Sequence, residues 1–144
     1  MSLLNVFDVS GTGMSAQSLR LNSIASNIAN ASSVAENPED TYRARYPVFQ
    51  AALDQVQQDA FVTAEQPALG GVQVPEVVES QRAFELRYEP DHPYANDEGY
   101  VTYPNVSVVE EMANMMSASR SFQLNVEVMN TAKTLAERVL TLGQ

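Results

Sequence analysis

The sequence predicts an α+β fold: a long antiparallel pair of N- and C-terminal helices, coiled-coil-like, with a small β-rich insert between them. Three observations predict it. The two ends of the chain each carry apolar side chains at seven-residue intervals. The stretch between them breaks into short alternating runs punctuated by Pro, Gly and Asn. Charge divides the chain the same way: residues 32–106 hold 13 acids against 4 bases, while residues 1–31 balance to zero and residues 107–144 to −1. An acidic middle reads as solvated surface, and near-neutral ends read as surfaces that meet other protein. The expected division is residues 1–35 with 103–144 as a paired terminal-helix domain, and residues 36–102 as a small acidic β-rich region.

The first element spans residues 3–31. Phe7, Met14, Leu21 and Ile28 recur every seven residues, flanked by Leu3, Ile24 and Ala31. This is a narrow seam rather than a broad globular stripe. Gly11 and Gly13 interrupt it, each costing about 1 kcal/mol against Ala in a helix interior, and a kink is expected there. SSVAENPEDT (32–41) is a loop by composition.

TYRARYPVF then alternates, with Tyr42, Ala44, Tyr46 and Val48 on one side. Residues 52–71 carry no clear pattern, and Gly70-Gly71 is expected to close them with a turn. VQVPEVVES (72–80) is a second extended run whose Pro75 requires an edge or a bulge. FELRYEP (84–90) sets Phe84, Leu86 and Tyr88 on one face and Glu85, Arg87 and Glu89 on the other. PDHPYANDEG is a turn-rich loop, and YVTYPN a short extended exit.

From Val108 the helical period returns. Val108, Met115, Phe122, Met129 and Ala136 recur every seven residues, flanked by Met112, Val126 and Leu140. Roughly 35 residues make a rod of about 50 Å. Ser107 is the expected N-cap, with Glu110 completing a capping box, and Gly143 the C-terminal stop. The simplest partner for this seam is the N-terminal one, although two helices docked separately on the middle region fit the same pattern. The remaining faces carry Ala113, Asn114, Ser117, Ala118, Ser119, Ser121, Asn125, Asn130 and Thr131 around Arg120, small and polar where a solvated helix would be charged. They read either as surfaces for other subunits or as a low-charge solvated helix. The patch assigned to a subunit interface is Ser117, Ala118, Arg120, Ser121, Asn125 and Asn130.

Several chemistries are disfavoured. The net charge of −10, with seven Arg and only Lys133 as lysine, argues against nucleic acid as a partner. There is no Cys, which removes disulfides and thiolate sites. No apolar run reaches the ~18–20 residues that span a bilayer, and the N-terminus lacks the pattern of a secretory signal. The one His, His92, lies between two prolines and reads as a turn residue. Asp91, Asn96, Asp97 and Glu98 do not have the spacing of a calcium loop. No catalytic, cofactor or metal site is expected, and no small-molecule substrate.

The segment LLNVFDVSGTGMSAQSLRLNSIASNIANASS resembles the opening of bacterial flagellar axial proteins, with their Asn-rich close at Asn27-Ile28-Ala29-Asn30. The stretches GGVQVPEVVES, RYEPDHPYANDEGYVTYPNVSVVEEM and MSASRSFQLNVEVMNTAKTLAERVLTLGQ are similar to the proximal-rod branch of that family. The resemblance implies a structural, non-enzymatic subunit of the basal-body rod, located where the rod crosses the periplasm. It implies export through the flagellar type III apparatus and terminal helices that line the inner tube. It also implies self-association and contact with other rod proteins, including those at the junction with the MS ring, in a helical tube that transmits torque from motor to hook. The alternative is a small type III-secreted binding or adaptor module acting through its terminal helices.

Overall fold

A computed structural model describes residues 3–35, 37–53 and 70–142. Helix α1 (Leu3–Asn30) leads through a one-turn 3₁₀ helix (Pro38–Asp40) to strands β1 (Arg45–Leu53) and β2 (Gly70–Glu79), then β3 (Glu85–Tyr88), β4 (Tyr100–Tyr103) and helix α2 (Val108–Leu142). The strands form two separate antiparallel ribbons, β1–β2 and β3–β4. The architecture is α+β: two long terminal helices with a small β insert.

The helices run antiparallel. Gly13 lies against Asn125, Arg20 reaches Asn114, and Asn27 reaches Glu111, so position rises along one helix as it falls along the other. Continuing this register sets Leu3 opposite about Leu135, leaving the last turns of α2 with no α1 beside them. That accounts for Val139 and Leu140 standing 61% and 73% exposed.

α1 is continuous through both glycines, and the expected kink is absent. The reason differs between them. A Cβ on Gly13 would sit 3.0 Å from Nδ2 of Asn125, so Gly13 lets the helices approach closely, whereas a Cβ on Gly11 would meet nothing. Gly70 and Gly71 also depart from expectation: they open β2 rather than forming a turn. A Cβ on Gly71 would stand 3.0 Å from Oγ1 of Thr12, and that hydroxyl accepts the Val72 N–H at 3.2 Å. The bare backbone of Gly71 thus seats the β1–β2 ribbon on α1.

Pairing in that ribbon shifts between Val48–Glu76 and Gln50–Gln73, which places Val74 and Pro75 opposite Phe49 alone. Proline, with no N–H to give the ladder, occupies this bulge. In β3–β4, Leu86 pairs with Thr102 and Tyr88 with Tyr100. The alternation expected of FELRYEP is present, but Leu86 and Tyr88 face outward at 62% and 65% exposure. His92 is a turn residue, its Nδ1 accepting the Tyr94 N–H. Gly99 adopts φ +81°, the left-handed turn that glycine permits, and Oδ1 of Asn96 accepts the Glu98 and Tyr100 amides around it.

Only half of the expected capping box forms at α2. Oγ of Ser107 accepts the Glu110 N–H at 3.4 Å, but the Glu110 carboxylate turns away to pair with Arg82 at 3.0 Å. The stop assigned to Gly143 and the unpatterned residues 54–69 lie outside the described residues.

The buried apolar set is small: Ala16, Ile24, Ala44, Val101, Val106, Ala118 and Ala132. Four of these are alanines, so the core gains little from side-chain burial and much of its coherence from polar groups. Ser10, Asn27, Thr41 and Glu111 are buried among them.

Candidate functional site

Two regions hold the features that bear on function: the polar junction where strand β1 meets both helices, and the long faces of α2.

Asn27 organises the junction. Its side chain is fully buried and makes four hydrogen bonds. Nδ2 donates to the Arg45 carbonyl at 3.1 Å and to Oε2 of Glu111 at 3.3 Å. Oδ1 accepts the Tyr42 hydroxyl at 2.8 Å and the Arg45 N–H at 2.9 Å. A primary amide has two donors and two acceptor lone pairs, so Asn27 is saturated. Glu111, 1% exposed, also accepts the Tyr46 hydroxyl at 3.0 Å. Burial and the bond to Glu111 push the Tyr46 hydroxyl up to about 12, because ionising it would set a second negative charge beside the carboxylate. Burial likewise raises Tyr42.

A second hub continues the junction. Oδ1 of Asn105 accepts the Ala44 N–H, and its Nδ2 donates to the carbonyls of Ser80 and Arg82. Arg43 completes this side, with its guanidinium 4.3 Å from the centre of the Phe84 ring and a bond to the Ser80 carbonyl. Chain segments that would otherwise leave backbone groups unpaired are tied to the helix pair by two asparagines.

The faces of α2 are the opposite case. The covered row is Glu111, Ala118, Asn125 and Ala132, spaced by seven, with Met115, Phe122, Met129 and Ala136 half-buried beside it. Of the expected seam, Met115, Phe122, Val126, Met129 and Ala136 are half-buried, as are Phe7, Met14, Leu21 and Ile28, and Ile24 is buried at 2%. Val108, Met112 and Leu140 are exposed, which corrects their assignment between the two helices: the side chains that approach α1 in that row are small or polar, so the larger ones are displaced outward. Outside the covered side, α2 exposes Val109, Met112, Met116, Leu124, Val128, Leu135, Val139 and Leu140. Contiguous apolar exposure of this extent marks an interaction surface.

Comparison with known proteins fits this picture. Residues 7–35 match the family described as flagella basal body rod protein, and residues 97–142 match the flagellar basal body rod FlgEFG protein C-terminal family. The chain is 51% identical over 144 residues, all of both chains, to the flagellar basal-body rod protein FlgC of Escherichia coli O6:H1 (strain CFT073). It is 51% identical, again over the whole of both, to FlgC of Salmonella typhimurium (strain LT2), and 35% identical to FlgC of Aquifex aeolicus (strain VF5) over 96% of this chain and 95% of the relative. The chain belongs to the flagellar basal-body rod protein family.

It is accordingly a structural component of the basal-body rod. In this rod protein the Asn27-Ile28-Ala29-Asn30 segment has a defined physical use: Asn27 is the junction hub, Ile28 is half-buried, Ala29 is exposed, and Asn30 binds back to the Ser26 carbonyl at 2.8 Å. The residues assigned to a subunit interface separate into two groups. Ser117, Arg120 and Asn130 are exposed and Ser121 is half-buried. Ala118 is fully buried within the chain, and the Asn125 amide lies against Gly13, so both belong to the helix pair instead. Sequence reasoning missed Glu111 as a buried carboxylate, along with Tyr46 and Asn105. Adjacent Glu110 and Glu111 look alike in sequence, and only the chain reversal that brings Tyr46 and Asn27 together distinguishes them.

Proposed function

We propose that this rod protein self-assembles with other rod proteins into a helical tube that carries torque across the periplasm. In this reading the α1–α2 pair lies toward the tube's interior and the acidic β region outward, and the chain reaches its place unfolded, through the flagellar type III apparatus. Contacts with rod neighbours, including those at the junction with the MS ring, run along the outer faces of α2. The observation that carries the reading is the imbalance along that helix: its own partner covers a row of Glu, Ala and Asn, while Met112, Met116, Leu124 and Val128 are left in water. Fully covering such side chains yields about 1.5–3 kcal/mol each, a gain available only from neighbouring subunits. The alanine-rich core supports an exported chain, since a weakly buried core is easily unfolded for passage. The role is structural rather than catalytic, in keeping with relatives named as rod proteins.

Electron microscopy of basal bodies at side-chain resolution tests this. The reading expects Met112, Met116, Leu124 and Val128 to be covered by adjacent subunits. Finding that side of α2 open to solvent along the rod sinks it.

A further inference from the structure

The β3–β4 ribbon carries a second exposed surface that helix packing does not use. Leu86, Tyr88, Tyr100 and Thr102 share one face, fixed by the pairs Leu86–Thr102 and Tyr88–Tyr100. Leu86, Tyr88 and Tyr100 are 62%, 65% and 40% exposed, and the two tyrosine rings meet edge to face with centroids 5.4 Å apart. Fixed tyrosines beside an exposed leucine are what interface cores are enriched in. The opposite face is already occupied: Arg87 lies 4.4 Å from the centre of the Tyr103 ring and pairs with Glu85, and Val101 is fully buried.

The ribbon's tip is acidic. Asp91, Asp97 and Glu98 are exposed, and none has a cationic partner among the described residues. A partner for this face must therefore bring an apolar patch rimmed with Lys or Arg.

A second copy of this chain cannot supply that rim. Arg45, Arg82, Arg87 and Lys133 are paired with carboxylates of their own chain, Arg20 reaches Asn114, and Arg43 lies over Phe84. That leaves Arg120 and Arg138 without a carboxylate among the described residues, and eighteen residues of helix separate them by about 27 Å, too far to meet one ribbon tip together. The acidic tip also repels anionic lipid, and the edge-to-face ring pair is not the flat platform on which sugars stack. Building on the rod assignment, we infer that the Leu86–Tyr88–Tyr100 face docks on a different rod protein, through an apolar patch with a cationic rim, while like-with-like contacts run through α2.

The test is photo-crosslinking in flagellated cells whose own copy is replaced by this chain. A benzophenone amino acid stands at position 88 or, as a less intrusive second variant on the same face, at position 102, and a third stands at position 116 on α2. Adducts are identified by mass spectrometry in purified basal bodies. The inference expects the ribbon probes to join a rod protein other than this chain, through a peptide containing Lys or Arg. It expects Asp97→Lys with Glu98→Lys to lower the adduct yield about tenfold. Adducts to a second copy, to glycan, or to no protein at all in basal bodies that contain the chain overturn the inference and leave the rod assignment standing. Absence of the chain, including the position-116 variant, from the basal bodies overturns both.

Discussion

The Asn27 amide donates to the Glu111 carboxylate across 3.3 Å, joining the two terminal helices through residues 84 positions apart in the chain. The same amide holds both backbone groups of Arg45, so one side chain fixes the helix pair and the ribbon that rests on it. Replacing Asn27 by Asp removes both donors and sets a second carboxylate beside Glu111. At neutral pH Asn27→Asp is expected to cost more than Asn27→Ala, itself about 3 kcal/mol for a buried hub. Two carboxylates in such contact share a proton, so one takes a raised folded-state pKa, and the stability of the proton-bound form is lost as pH rises through it. Asn27→Asp should therefore recover relative to Asn27→Ala between pH 7 and about pH 5. Denaturant midpoints for the two variants across that range check this; parallel curves would show that Asn27 and Glu111 are not coupled.

Tyr46 supplies the alkaline counterpart. Its hydroxyl is raised to about 12 from an ordinary 10.0, first by burial and then by its bond to Glu111. A raised folded-state pKa means the contribution is complete below the unfolded value and is lost as pH climbs through the folded one. The junction should hold to about pH 10 and loosen between about pH 10 and 12. Amide exchange at Ala44 and Arg45, whose N–H groups bond Asn105 and Asn27, reports the loosening. Tyr46→Phe should flatten this dependence, and an unchanged profile in that variant would remove Tyr46 from the account.

Gly11 and Gly13 make opposite predictions from identical sequence context. Gly11→Ala meets open space and should stabilise the chain by about 0.5–1 kcal/mol through helix propensity. Gly13→Ala must displace the end of the Asn125 side chain, 3.0 Å away, so its propensity gain is offset and the change is expected near zero. Gly13→Val adds branched bulk in the helix interface and should destabilise by about 1–3 kcal/mol. Thermal melts of the three variants decide it, and an equal gain from both alanines would show that the helices do not approach at Gly13.

These contrasts also explain what the sequence made legible. Helix extent and antiparallel pairing were readable because Met115, Phe122, Met129 and Ala136 keep a seven-residue apolar period. The row nearest α1 was not, since Glu111, Ala118, Asn125 and Ala132 form no hydrophobic stripe; close helix approach selects small and hydrogen-bonding residues. Reading the larger side chains Met112 and Leu140 as the seam was the natural error, and both stand in water. The Asn27 motif was visible as a pattern, yet its partners Tyr42, Arg45 and Glu111 are brought to it only by the fold. Leu86 and Tyr88 alternated correctly, but alternation fixes which residues share a face and not whether anything covers it.

Ser117 and Ala118 are neighbours with different fates, and this gives a direct test of what α2 presents outward. Ala118 is fully buried, so Ala118→Leu overpacks the helix pair and should cost about 1–3 kcal/mol in the isolated chain. Ser117 is exposed, so Ser117→Leu should leave the isolated chain's stability within about 0.5 kcal/mol of the parent. In a rod the order reverses in consequence. If Ser117 lies where another helix packs closely, the added leucine repeats its misfit at every equivalent contact, and assembly fails although the chain is stable and still exported. Ser121, half-buried, should show a weaker version of both effects. Melting of the purified variants, secretion into the medium and swimming in soft agar together separate these outcomes. Normal swimming by Ser117→Leu would mean that this part of α2 faces solvent or an open channel, and the subunit contacts would then have to run through the larger apolar side chains at Met112, Met116, Leu124 and Val128 alone.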